Sequence, residues 1–176
     1  LDKILTTPRI REDGSALTIQ ATCVDAGGHH FETVLAFCNA RTSRRVYAIR
    51  GESETGVNRS PVWRKAHQRI KDKRRKSFGQ RFWLVGTNAA KDRLESFMKV
   101  PVASGPGAMH IPADRDATWF EQFCSEKKVA RRVGGRMAMR WEPKYDGIRN
   151  ESWDCRVYAY ARSEERRVGK ECRSRW

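Results

Sequence analysis

Ala16-Leu-Thr-Ile-Gln-Ala-Thr-Cys-Val-Asp25-Ala-Gly-Gly-His-His30 carries a strand pattern straight into an acid, two glycines and two histidines. Residues 16–24 mix apolar and β-branched side chains (Leu17, Ile19, Ala21, Val24) with threonines, which predicts a single strand. Phe31, Val34, Leu35 and Cys38 then recur at i, i+3, i+4 and i+7, the stripe of a helix packed on a sheet. Asp25 therefore falls at a strand's carboxyl end, the edge where open α/β sheets bind ligands, and the glycines let the chain turn there. The competing reading makes Asp25 only the cap of the following helix.

Outward from this stretch the pattern continues as α/β. Residues 1–11 look like a helix end broken at Pro8, and a turn follows at 12–15. Arg45-Val-Tyr-Ala-Ile-Arg50 is a second strand, so strand, helix and strand imply a parallel pair with a right-handed crossover, and Glu52 adds a second acid near the same edge. Phe82-Trp-Leu-Val-Gly86 is a third, apolar strand, after which Thr87 or Asn88 is expected to cap a helix carrying Lys91, Asp92, Leu94, Phe97 and Met98. The Gly-Thr-Asn turn between them weakly resembles an anion-binding helix start. Residues 117–127 predict an amphipathic helix, and 130–141 a hairpin turning at Gly134-Gly135 with Met137, Met139 and Trp141 on one side. A last helix, residues 149–161, places Asn150 and Asp154 one turn apart on one face. Asp154 fits a surface charge near a helix start, but its neighbours Trp153, Cys155 and Val157 are apolar.

With 176 residues, 39% of them hydrophobic, the chain fits one domain with a sizeable core. Its 36 Lys and Arg against 21 Asp and Glu leave a net charge of +15, which favours a polyanionic partner. Nucleic acid suits that charge better than membrane, since there is no long apolar run and no signal-like N-terminus. The charge concentrates between Arg59 and Arg81, where ten basic residues face the single acid Asp72 over 23 residues. Such a run is often a solvated loop. Trp63 and His67 are interleaved with it, however, and it adjoins the ligand edge, which suits a phosphate backbone. The five cysteines are scattered with no C-x-x-C pair, the pattern of reduced thiols, and the four histidines are too dispersed to complete a zinc site. No G-x-x-x-x-G-K phosphate loop occurs.

Five blocks carry a family resemblance: Val24-Asp25-Ala-Gly-Gly-His-His30, Val34-Leu-Ala-Phe-Cys38, Val46-Tyr-Ala-Ile-Arg-Gly51, Trp83-Leu-Val-Gly-Thr-Asn-Ala-Ala-Lys-Asp92 and Arg149-Asn-Glu-Ser-Trp-Asp-Cys-Arg-Val-Tyr-Ala159. In this order they resemble the nuclease domain of the large terminase subunits of lambda-like tailed bacteriophages. The resemblance implies an RNase H-like mixed sheet flanked by helices, with acids that bind Mg²⁺ or Mn²⁺. It makes Asp25 and Asp154 the catalytic and metal-binding residues of a metal-dependent endonuclease that cuts concatemeric double-stranded DNA. The family's first catalytic Asp stands on a Gly-Val-Asp type strand upstream of Leu1. The expectation is therefore a C-terminal fragment of that domain, lacking its first strands and poorly active alone, with Asp25 as second acid and Asp154 as third. Asn88 stands where the family block often has Asp, so Asn88 and Asp92 are left out of the ligand set.

The carboxylates of Asp25 and Asp154 are expected to converge to within about 4–6 Å, the range over which acids share a cation. Phosphate contacts are expected from Arg64, Lys65, Arg69, Arg74, Arg75, Lys76 and Lys91. The implied partners are double-stranded DNA, an N-terminal ATPase motor domain, the small terminase subunit and the portal, in the cytoplasm of an infected or prophage-bearing bacterium, with no membrane. Residues 1–162 form the nuclease domain in this reading, and residues 163–176, which match nothing in the family, a foreign or disordered tail. A non-catalytic basic nucleic-acid-binding module is the alternative.

Overall fold

The computed structural model describes residues 1–11, 13–52, 54, 57–65, 82–101 and 107–173, with the backbone alone for 165–173. Its elements are α1 (Asp2–Thr6), β1 (Arg9–Ile10), β2 (Ala16–Leu17), β3 (Thr22–Asp25), α2 (Phe31–Asn39), a 3₁₀ turn (Thr42–Arg44), β4 (Val46–Gly51), β5 (Arg64–Lys65), β6 (Trp83–Val85), α3 (Thr87–Met98), α4 (Ala117–Phe123), β7 (Glu126–Val133), β8 (Arg136–Pro143) and α5 (Glu151–Arg173). The class is mixed α/β, with a four-stranded sheet in the order β3-β4-β6-β5 and two antiparallel two-stranded ribbons, β1-β2 and β7-β8. The chain divides into two compact units, Leu1–Arg50 with Lys65–Trp83, and Gly51–Arg64 with Leu84–Trp176.

In the first unit β3 and β4 run parallel, Thr22 beside Val46 and Asp25 beside Ile49, with α2 as the crossover. The helical stripe packs as its spacing requires: Leu35 and Cys38 are buried with Ala26, Val46 and Ala48, and Val24, Phe31, Val34, Phe37 and Phe82 close around them. Burial pushes the Cys38 thiol up to about 11, so it behaves as a small apolar side chain. Asp2 ties α1 to the end of the crossover, accepting from Arg41 at 2.6 Å and Arg44 at 3.3 Å. One expectation fails here. Residues 16–24 form two separate strands rather than one, because β2 leaves to pair with β1 and Ile19, between them, is 39% exposed.

In the second unit α5 buries Trp153, Val157 and Ala161, spaced by one turn each. Phe123 of α4 meets the Trp153 ring edge-on at 5.1 Å and stacks on Trp119 at 4.8 Å. Asp116 caps α4, accepting from the Trp119 N–H at 2.7 Å. That helix ends at Phe123, shorter than its apolar pattern implies, and Glu126 already begins the hairpin. The α3 cap also differs from expectation, since Gly86, not Thr87 or Asn88, stands at its start and no side chain bonds the exposed N–H groups. α5 continues to Arg173, into the segment 163–176 expected to be a tail because it matches nothing in the resembling family.

Leu35 is fully buried in the first core. Leu35→Ala is expected to lower unfolding free energy by about 2–5 kcal/mol, seen as a reduced urea midpoint at unchanged slope.

Candidate active site

Asp25 ends β3 at the carboxyl edge of the parallel pair, as its position in the sequence requires, and is exposed. It does not cap α2, whose start is His30 with no side-chain cap. Instead its Oδ1 accepts from the Gly27 N–H at 2.8 Å, an Asx turn that holds the carboxylate at the strand end. A side chain on Gly27 would begin 3.1 Å from that same oxygen, so the glycine keeps the carboxylate's surroundings open.

Asp154 lies in the second unit, on the first turns of α5. The predicted pairing with Asn150 is present, the amide Nδ2 donating to Oδ2 at 3.0 Å. Its other oxygen faces a charge that sequence reading put elsewhere: Lys91 Nζ stands 3.9 Å from Asp154 Oδ1. Lys91 is 7% exposed and donates to both oxygens of Glu126, at 2.8 and 2.7 Å. The sequence does not single out Glu126, because it falls at the end of the helix predicted over 117–127. Its signal is alternation: Glu126, Lys128 and Ala130 fall on one hairpin face with Trp141 and Met139.

Around this pair a second ionic layer joins α3 to the hairpin. Asp92 accepts from Arg59 Nε at 3.0 Å, Lys128 Nζ at 2.9 Å and Trp141 Nε1 at 2.9 Å, and Asn88 Oδ1 accepts from the Trp141 N–H at 3.0 Å. Asn88 and Asp92, part of one resemblance block, thus serve to fix the hairpin on α3. Glu54, whose side chain has no exposure, accepts from Arg59, Arg140 and the Ser60 N–H. Glu52 pairs with Arg64, and that hydrogen bond is the main reason its carboxyl lies below the usual glutamate range.

Of the expected phosphate contacts, Arg64 is thus engaged by Glu52, Lys65 is exposed, Lys91 is buried, and Arg69, Arg74, Arg75 and Lys76 lie outside the described residues. Among the described residues no three His, Cys, Asp or Glu side chains gather in a group that could hold a metal ion. No helix among them is long and apolar enough to cross a membrane.

The family described as terminase large subunit gpA, endonuclease domain, matches residues 1–176. The chain belongs to that family. Among curated relatives, the terminase large subunit of Escherichia phage lambda is 30% identical over 167 residues, 92% of this chain and 24% of the relative. The terminase large subunit of Enterobacteria phage P21 is 33% identical over 156 residues, 85% of this chain and 23% of the relative. The chain thus spans about a quarter of the length of the curated relatives it matches. No solved structure matches it.

In this terminase endonuclease domain the ionic layer carries a pH dependence. Burial alone would raise the Asp92 carboxyl, but bonds from Lys128 and Trp141 and the Arg59 charge hold it below its ordinary 3.8. Glu95, bonded by Lys128 and Lys99, likewise lies below its ordinary 4.5. Depressed carboxyls stabilise the fold above their unfolded values, and that contribution is lost as pH falls through the folded ones. The urea midpoint is expected to drop as pH is lowered from 4.5 to about 2. Lys128→Met is expected to lower the neutral-pH midpoint and flatten that drop.

Proposed function

We propose that the chain is the catalytic domain of a viral DNA-packaging terminase, a metal-dependent endonuclease that cuts concatemeric double-stranded DNA, and that Asp25 and Asp154 are its acids. The observation that carries this is the family match over the full chain, which includes both acids. Both are hard oxygen donors of the kind Mg²⁺ and Mn²⁺ take. Asp25 is exposed, and the Gly27 N–H holds its Oδ1. Asp154 is aimed by Asn150, with the Lys91–Glu126 pair behind it. When bound, divalent cations activate a water and stabilise the leaving oxygen of a cut phosphodiester. The fold we propose is RNase H-like.

Exposed Lys65 opens the basic segment that continues through Arg69, Arg74, Arg75 and Lys76, and we assign this segment, with Arg64, to the phosphate backbone. Lys91 contributes its charge from inside, beside Asp154, rather than through a surface contact. In the whole protein the domain would act with an ATPase motor, the small terminase subunit and the portal, in the host cytoplasm.

The test is nicking of plasmid DNA with Mn²⁺ by a terminase large subunit containing this domain. Asp25→Ala and Asp154→Ala should each reduce cutting at least ~100-fold, the scale on which loss of a metal ligand is felt, while leaving DNA binding in place. Cutting that survives both substitutions would move the chemistry elsewhere. DNA binding with no metal-dependent cutting by the unsubstituted protein would favour a non-catalytic binding module.

A further inference from the structure

The β7-β8 hairpin is well anchored at one end and bare at the other. In its register Lys128 faces Trp141, Ala130 faces Met139 and Arg132 faces Met137, all on one side. α3 engages that side only at the base, where Lys128 and Trp141 meet Asp92 and Glu95. Beyond it Met137 is 64% and Met139 44% exposed, and Arg132 and Arg136 are exposed with no acidic partner among the described residues. Between Lys127 and Trp141 there is no acid in the sequence. The tip is shaped by Gly134 and Gly135, with φ of 55° and 80°, the positive values a two-residue I′ turn needs.

Two exposed methionines share one face of a stiff ribbon with Arg132, and Arg136 stands beside the turn on the opposite face, a surface with a use outside the fold. The surplus of positive charge selects a polyanion over an ordinary protein face. A two-stranded ribbon, with strands about 4.8 Å apart, fits a major groove about 12 Å wide. We propose that residues 130–139 are a second DNA-contacting surface, separate from the basic segment, that enters the major groove of a duplex. Arg132 and Arg136 meet phosphates at its rims, and Met137 and Met139 lie against its apolar wall of thymine methyls. The proposal rests on the reading that the domain acts on duplex DNA.

The experiment measures binding of the chain to a fluorescent duplex without divalent metal, across a salt series, so cleavage plays no part. Arg132→Ala/Arg136→Ala should flatten the log–log salt dependence by about 1.8, two phosphate contacts' worth. Met137→Ser/Met139→Ser should weaken binding about tenfold with the slope unchanged, because apolar contact releases no counterions. All four side chains are exposed, so circular dichroism and melting should match the wild type. Wild-type affinity and slope in the arginine pair, with slope lost only on neutralising Arg69, Arg74, Arg75 and Lys76, would overturn the hairpin surface and leave the nuclease reading intact. A chain that binds no duplex at all would overturn both.

Discussion

The Lys91 ammonium is the charge around which the interior of the second unit is arranged. A cation that is 7% exposed loses several kcal/mol of hydration, and only close, well-oriented carboxylates restore it. Glu126 supplies both oxygens within 2.8 Å. To do so it must lead the β7 strand out at the level of α3, which fixes where the hairpin starts. Asp154, 3.9 Å from the same ammonium, is then placed by α5 at the edge of a site whose charge is already partly balanced. The residue proposed for chemistry is therefore the outermost member of a structural cluster. Its position depends on three elements, α3, β7 and α5, rather than on its own helix.

The remaining ion pairs extend the same constraint outward. Asp92 and Glu95 hold Lys128, Asp92 also holds Arg59, and Arg59 shares Glu54 with Arg140. The Asp92 and Glu95 bonds join the hairpin and the loop before β5 to α3, and Glu54 joins Arg140 of the hairpin to that loop, so the hairpin base is clamped while its tip projects. Gly86 belongs to this clamp. A Cβ there would sit 2.5 Å from the Ser60 carbonyl oxygen and 2.6 Å from that of Pro61. Only glycine lets that loop cross the start of α3, where the Gly86 N–H donates to Pro61 at 3.2 Å.

Much of this was legible in the sequence where the signal is local. The stripe of Phe31, Val34, Leu35 and Cys38 gave α2 and its buried face, the alternation of Met137, Met139 and Trp141 about two glycines gave the hairpin, and Asn150 and Asp154 paired as their spacing requires. Misreadings arose where the deciding partner lies far along the chain. Lys91 looked like a phosphate contact because sequence displays charge but not burial, and Glu126 is 35 residues away. Gly86 looked like the start of an anion site, but a distant loop fills that space. The break between β2 and β3 follows from pairing with β1, which no period within residues 16–24 reveals.

The central claim of the proposal is that Asp25 and Asp154 each ligate divalent cations. It is tested most directly by titrating the protein with Mn²⁺ and following the free ion by electron paramagnetic resonance. Asp25→Asn and Asp154→Asn keep side-chain size while removing the charge, and each is predicted to weaken Mn²⁺ binding at least ~10-fold, the loss of one hard ligand. Mn²⁺ affinity unchanged by both substitutions would contradict that claim.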